Sequence, residues 1–134
     1  MSAIANNAMV LVDTCAWIDF LRNSEGALGD QVAQLIVEGR ARMCGAVVAE
    51  LLQGVKKDAS NKSKQEAAQL QLLIERVPTV ETIEADWYTA GHTLHALRQK
   101  GITLPLTDAL IASVAKRNNL PILTVDAHFK HLGF

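Results

Sequence analysis

Met9-Val10-Leu11-Val12-Asp13 is an aliphatic run that ends in an acid, and its pattern indicates the architecture of the chain. A second run of this kind, Pro121-Ile122-Leu123-Thr124-Val125-Asp126, lies near the C-terminus. Both runs are short and rich in branched aliphatic residues, as is typical of strands in a parallel sheet that is buried on both faces. Ligands of open α/β sheets bind beyond the carboxyl ends of such strands. We therefore expect Asp13 and Asp126 to face one crevice.

The composition is that of one ordinary globular domain, which we predict to span residues 1–134. Hydrophobic residues make up 49% of the chain and charged residues 20%, and 134 residues are enough for an independent core. The formal net charge of -1 gives no general basic surface for nucleic acids. Because only 4% of the residues are aromatic, the chain is also a poor candidate for a base-stacking RNA reader.

The sequence carries no sign of export or membrane insertion. Nothing at the N-terminus resembles a signal peptide, and no stretch has the length of a membrane span. The two cysteines, Cys15 and Cys44, lack the spacing of a metal site. We therefore expect a cytoplasmic protein with reduced thiols and without a membrane partner.

The residues between the two aliphatic runs alternate between helix-like and strand-like patterns. The expected helices cover residues 14–22 (with a break at 23–26), 30–38 with Asp30 as N-cap, 46 onward, 65–77, 84–100 and 108–116. Short strands are expected at 42–45 and 79–80, and an exposed turn at 58–64. In the helix at 84–100, Trp87, Ala90, Leu94 and Leu97 recur at helical spacing. The alternation predicts an α/β domain of three layers, in which helices flank a central parallel sheet of four or five strands.

Two further acids, Glu50 and Asp108, lie inside or at the start of predicted helices. Taken singly, each acid of the chain also fits a helix cap, a turn or a solvated helix face. Taken together with Asp13 and Asp126 they indicate a site, because neighbouring carboxylates repel one another unless a cation lies among them. Mg²⁺ and Mn²⁺ are the cations that prefer oxygen ligands. The four acids therefore predict a metal-dependent enzyme that acts on phosphates.

The order and spacing of these acidic motifs resemble those of the PIN-domain ribonucleases. The motifs are Val12-Asp13-Thr14, Ala49-Glu50-Leu51, Leu106-Thr107-Asp108-Ala109 and Leu123-Thr124-Val125-Asp126. Over its whole length the chain is similar to the VapC-type toxins of bacterial toxin–antitoxin pairs. The resemblance implies an endoribonuclease that hydrolyses RNA with Mg²⁺ or Mn²⁺, a cognate antitoxin that silences it, and a homodimer.

The resemblance also implies the roles of particular residues. Asp13, Glu50 and Asp108 would be metal ligands and Asp126 a fourth, more variable acid, with Thr14 and Thr124 in support. Two positions depart from the family. Cys15 stands where Ser or Asn is frequent, so the support of Asp13 is expected to be looser, because a thiol is a weak hydrogen-bond partner. His128 stands where some members carry a further acid.

The first predicted helix offers a surface for the antitoxin. Trp17, Phe20 and Leu21 would form an apolar groove that seats an amphipathic segment of the partner, and the alternative is that they belong to the core. A basic side chain of the same partner would then pair with the carboxylates in place of the cation.

Two questions stay open at the level of sequence. The basic residues at 56–57, at Arg98 and Lys100, and at Lys116 and Arg117 are candidates for phosphate contacts, or else solvated helix ends. The alternative function is a non-catalytic PIN-like module that binds RNA or protein, with the acids as caps. That alternative predicts no dependence on metal.

Overall fold

The computed structural model describes residues 7–22, 26–55 and 60–134. Residues 23–25 of the helix break predicted at 23–26, and the basic pair at 56–57, lie outside these ranges. The elements in chain order are β1 (Val10–Val12), α1 (Thr14–Leu21), α2 (Ala27–Val37), β2 (Ala41–Cys44), α3 (Gly45–Gln53), α4 (Asn61–Arg76), β3 (Thr79–Val80), α5 (Glu84–Gln99), α6 (Leu106–Arg117), β4 (Ile122–Leu123) and a final 3₁₀ turn (Ala127–Lys130). The predicted α/β architecture is confirmed, with four strands and six flanking α-helices in the described part of the chain.

The four strands form one parallel sheet in the order β3-β2-β1-β4. Leu11 of β1 lies opposite Arg42 of β2 on one side and opposite Ile122 of β4 on the other. The chain therefore adds β2 and β3 on one side of β1 and returns to the other side for β4. Since crossover connections are right-handed, this reversal puts the helices before β3 and those after it on different faces. The crevice beyond the ends of β1 and β4 is the topological switch point, where ligands bind in open α/β sheets.

The core is centred on β1 and α6. Val10, Leu11 and Val12 have no exposed surface, as expected for a strand with neighbours on both edges and helices on both faces. In α6 every residue from Asp108 to Ala115 is buried, so this helix is enclosed along two of its turns. None of the helices in the described ranges is both long enough and apolar enough to span a membrane.

Two helices, α2 and α4, begin three and four residues earlier than the sequence pattern predicts. Helix α4 begins at Asn61 because the Ser60 hydroxyl accepts a hydrogen bond from the Ser63 N–H at 3.2 Å, which caps its first turn. Helix α2 begins at Ala27 with Gly26 as N-cap, so the prediction of Asp30 as N-cap is wrong. Asp30 lies in the first turn instead, where its charge complements the helix dipole.

The apolar residues that recur at helical spacing in α5 do not all lie in the core. Ala90 has no exposed surface and Leu97 is buried, whereas Trp87 is 53% exposed. The first turn of α5 instead turns Asp86 inward, where it is 2% exposed and pairs with Arg117 of α6. The ion pair therefore fixes the rotation of the helix start and leaves Trp87 at the surface.

Candidate active site

Asp13 follows β1 and connects the sheet to the site. Its N–H donates to the Leu123 carbonyl at 3.0 Å, which continues the pairing of β1 with β4, and the residue is only 4% exposed. Its Oδ2 accepts a hydrogen bond from the Thr124 hydroxyl at 2.8 Å. The Cys15 thiol lies 3.4 Å from the same oxygen, and burial raises the pKa of this thiol, so it stays protonated beside the carboxylate.

Thr124 joins Asp13 to Asp126. While its hydroxyl donates to Asp13, its oxygen accepts a hydrogen bond from the Asp126 N–H at 2.9 Å. The Asp126 Oδ1 in turn accepts from the His128 N–H at 2.9 Å and caps the 3₁₀ turn. The structure thus brings together the two acids that the aliphatic runs predict to share a crevice, and one threonine fixes their relative position.

Asp108 is held at the start of α6, where it is 6% exposed. Burial raises the pKa of its carboxyl, and the negative charges of Asp126 and Asp13 raise it further, against the opposing effect of His128. The His128 Nδ1 lies 2.8 Å from the Asp108 Oδ2 and 3.4 Å from the Asp126 Oδ1. The hydrogen bond to Asp108 in turn raises the pKa of the His128 imidazole. The carboxylates are therefore close enough to attract a positive group between them.

Glu50 reaches the same region from α3. Its Oε1 accepts from the Thr14 hydroxyl at 2.8 Å, and its Oε2 accepts from the Thr107 hydroxyl at 3.4 Å. These threonines are the chain neighbours of Asp13 and Asp108, so the third predicted ligand is positioned by residues next to the other two. The contact between the Thr107 hydroxyl and Glu50 was not predicted from the sequence.

One group of side chains has the geometry of a cation site. Donor atoms of Asp108, Asp126 and His128 all lie within 4.8 Å of one another. Carboxylate oxygens suit Mg²⁺, and Mn²⁺ accepts both carboxylates and imidazole. The donor set therefore fits a hard divalent cation. The contribution of His128 was not predicted, although its place two residues after Asp126, in the same turn, is the sequence signal for it.

The predicted antitoxin surface on α1 is wrong at Trp17. This side chain has no exposed surface and meets Phe20 edge to face, with the ring centroids 6.3 Å apart. Phe20 and Leu21 are half-buried. Leu21 lines a cavity of about 80 Å³ between α1, α3 and α4, and Glu50 lies at its margin. The groove at this place is thus formed by Leu21 together with Ile18, Leu51, Val55 and Leu70.

Arg117 is not a free phosphate ligand. Its Nε and one terminal nitrogen donate to the two oxygens of Asp86, both at 2.9 Å, and it also donates to the Glu81 carbonyl at 2.6 Å. This guanidinium therefore serves the fold. The neighbouring Lys116 ammonium lies 5.6 Å from the centre of the Phe134 ring, a cation–π distance.

The comparisons with known proteins agree with this geometry. The PIN domain family model matches residues 10–134. The chain is 30% identical over 125 residues to VapC ribonuclease Mb1587 of Mycobacterium bovis and to ribonuclease VapC11 of Mycobacterium tuberculosis, which covers 90% of this chain and 89% of each relative. VapBC2 from Rickettsia felis, solved bound to a promoter DNA fragment, has the same fold with a TM-score of 0.73, at 24% identity and 92% coverage of both chains. FitAcB from Neisseria gonorrhoeae has a TM-score of 0.71 at 20% identity, over 93% of this chain and 94% of that one. The predicted family is confirmed: the chain belongs to the PIN-domain family and, within it, to the VapC ribonucleases.

Proposed function

We propose that this chain is a metal-dependent endoribonuclease, the toxin of a toxin–antitoxin pair, which hydrolyses RNA phosphodiester bonds. The observation that carries the proposal is the meeting of Asp108, Asp126 and His128 donor atoms within 4.8 Å, with Asp13 linked to Asp126 through the Thr124 hydroxyl. Burial and the charges of Asp126 and Asp13 raise the pKa of the Asp108 carboxyl, which is a cost to the fold, and such a cost is typical of a functional site. The ribonuclease names of the 30% identical relatives support the reaction.

The acids would hold Mg²⁺ or Mn²⁺, with Asp13, Glu50, Asp108 and Asp126 as the ligands. A bound ion of this kind lowers the pKa of water and neutralises charge on a phosphate. The residues of the chain orient the site: the Thr124 hydroxyl fixes Asp13, and those of Thr14 and Thr107 fix Glu50. An RNA backbone would approach these acids only when a cation compensates their charge, because clustered carboxylates repel a polyanion.

Metal binding is the direct test of this proposal. Titration of Mn²⁺ into the purified protein, followed by calorimetry, is expected to give saturable binding that Asp13→Asn weakens at least about tenfold, because a ligand charge is lost. Asp30→Asn is the matched control, since Asp30 is an exposed aspartate in the first turn of α2. Equal Mn²⁺ binding by the wild type and Asp13→Asn would remove Asp13 from the ligand set and favour the non-catalytic binding module.

A groove next to the acids offers a binding site for the antitoxin that we propose as partner. The groove between α1, α3 and α4 is lined by aliphatic side chains and by the charged residues Arg22, Glu50 and Glu66. An amphipathic helix laid into this groove would place a following Arg or Lys at the carboxylates, where charge-assisted hydrogen bonds replace the cation. The homodimer implied by the family resemblance stays a prediction.

Leu21 is the position at which to test this groove, since Phe20 packs against the buried Trp17. Leu21→Asp is expected to weaken the complex with the antitoxin at least about tenfold, because a charge would be buried beneath the apolar face of the partner. RNA cleavage by the free toxin should stay within about twofold of wild type. Val37→Asp is the control, because Val37 is a fully apolar side chain on α2 that is 82% exposed and lies outside the groove. Affinity is measured by calorimetry, and equal weakening by both variants would contradict the groove.

A further inference from the structure

The imidazole of His128 contacts two carboxylates at once. Its Nδ1 is 2.8 Å from the Asp108 Oδ2 and 3.4 Å from the Asp126 Oδ1. The two acids come from different elements, because Asp108 belongs to the first turn of α6 and Asp126 caps the 3₁₀ turn. Donor atoms of the three residues all lie within 4.8 Å of one another, close enough for one cation to touch each of them. The nitrogen atom is therefore placed as a candidate ligand in its own right.

The 3₁₀ turn holds the main chain of His128 in place. The His128 N–H donates to the Asp126 Oδ1 at 2.9 Å. The next residue, Phe129, is 1% exposed, and its carbonyl accepts hydrogen bonds from the N–H groups of Leu132 at 3.1 Å and of Phe134 at 3.0 Å. The turn is thus anchored in the core on one side and bonded to Asp126 on the other. A side chain that is already in position loses little conformational freedom when it binds a ligand.

The His128 side chain is also accessible from outside. It is 44% exposed, whereas that of Asp108 is 9% exposed. A hydrated cation can therefore reach the Nδ1 without a rearrangement of the core. The hydrogen bond to Asp108 directs this nitrogen toward the carboxylates, and coordination would replace the proton of that bond.

An imidazole nitrogen affects which cation a site prefers. Mg²⁺ is bound in proteins by oxygen atoms from carboxylates, phosphates and water. Mn²⁺ takes the same oxygen ligands, but it belongs to the first-row transition metals, which also bind imidazole. A histidine among carboxylates therefore adds to the affinity for Mn²⁺ and adds little to the affinity for Mg²⁺.

An acid at position 128 would not discriminate in this way. Mg²⁺ and Mn²⁺ carry the same charge, so a further carboxylate would attract both of them. A neutral imidazole adds no charge and acts only through the type of its donor atom. The chain has His128 where some of the proteins that it resembles carry a further acid, and this difference exchanges general attraction for selectivity.

We propose that the His128 Nδ1 is a nitrogen ligand of the cation that the acids hold, and that it makes the site select Mn²⁺ over Mg²⁺. This inference rests on the proposed function. The ligand set becomes a mixed one, in which the 3₁₀ turn supplies the nitrogen beside the oxygen atoms of Asp108 and Asp126.

Pulsed electron paramagnetic resonance on the wild type loaded with Mn²⁺ tests the ligand without any measurement of RNA cleavage. Nitrogen has a nuclear spin, whereas common oxygen has none, so a directly bound nitrogen modulates the electron spin echo of Mn²⁺. We expect this modulation in the wild type. The measurement uses the unmodified chain, so its result does not depend on the folding of a variant.

Two variants assign the nitrogen to one histidine. His128→Asp is expected to abolish the modulation, because it supplies an oxygen ligand at the same place. His131→Asp is the matched control and should keep the modulation, since His131 is an exposed histidine that directly follows the same 3₁₀ turn.

Calorimetry with Mg²⁺ and with Mn²⁺ measures the selectivity. The ratio of the Kd for Mg²⁺ to the Kd for Mn²⁺ is expected to fall at least about tenfold in His128→Asp, because a donor that favours Mn²⁺ is replaced by one that serves both cations. In His131→Asp the ratio should stay within about twofold of the wild-type value. An unchanged ratio in His128→Asp would refute the selectivity.

The other results separate this inference from the proposed function. Saturable Mn²⁺ binding without nitrogen modulation would refute the nitrogen ligand and leave the proposed nuclease intact. Modulation that persists in His128→Asp would assign the nitrogen to another residue and also refute the proposal. If Mn²⁺ shows no saturable binding to the wild type, the proposed function itself fails.

Discussion

Replacement of Asp108 by asparagine is expected to lower the rate of RNA cleavage at least about a hundredfold, the scale on which loss of one essential electrostatic group acts. The asparagine side chain would keep the shape of the aspartate and an oxygen for His128, but it would not carry the charge that holds a cation. Cleavage is measured on a mixture of short oligoribonucleotides in the presence of Mg²⁺ or Mn²⁺. Asp30→Asn is again the matched control and should retain the wild-type rate.

The same substitution should not destabilise the protein. Burial and the charges of Asp126 and Asp13 raise the pKa of the Asp108 carboxyl, so its ionised form is unfavourable in the folded state. Removing that charge is expected to leave the melting temperature equal to or above that of the wild type without metal. Wild-type cleavage by Asp108→Asn would contradict the catalytic role, and a lower melting temperature would assign Asp108 to the fold.

Replacement of Asp86 by alanine, unlike that of Asp108 by asparagine, is expected to destabilise the protein. The expected loss in the free energy of unfolding is about 2–3 kcal/mol. The Asp86 carboxylate is 3% exposed and accepts two hydrogen bonds from Arg117 and a third from the Ile83 N–H at 2.9 Å. It therefore caps α5 and ties it to the end of α6. Asp30→Ala is the control, because Asp30 also lies in a first helical turn but is exposed, and we expect a much smaller loss.

The stability supplied by Asp86 should depend on pH in a defined direction. Hydrogen bonds from Arg117 lower the pKa of this carboxyl in the folded protein, against the effect of burial. A lowered folded pKa stabilises the protein above the unfolded pKa of about 4, and this stabilisation is lost as the pH falls through the folded value. The difference in unfolding free energy between wild type and Asp86→Ala, measured by urea denaturation, should therefore shrink below about pH 4. A constant difference between pH 7 and pH 3 would show that the charge of Asp86 contributes nothing.

The sheet and its acids can be predicted from the sequence because both leave a local signal. An aliphatic run such as Val10–Val12 is too short for a buried helix, and the acid after it marks where the buried strand ends. The third strand was predicted at Thr79–Val80 and lies at those residues. Right-handed crossovers then leave few topologies, so the approach of Asp13 to Asp126 follows from the order of the elements.

The remaining features depend on pairs that are distant in the sequence. Arg117 and Asp86 are 31 residues apart, and His128 and Asp108 are 20 residues apart, so no local pattern indicates either contact. The rotation of α5 depends on the first of these pairs. The periodicity of its apolar residues therefore gives no indication that Trp87 lies at the surface.

Asp13 has a structural role through its main chain and a separate proposed role through its side chain. Its main-chain N–H continues the sheet by bonding to Leu123, and any residue except proline can supply that bond. Its carboxylate is the part that the proposed active site uses. A mutation of this codon to asparagine is therefore expected to leave a folded protein with the proposed partner groove beside α1 intact and to remove its chemistry. In a cell that carries such an allele, the inactive chain would still bind the antitoxin and so compete for it with the active toxin. The loss of one charge in the inactive chain would then free the active toxin from its antitoxin.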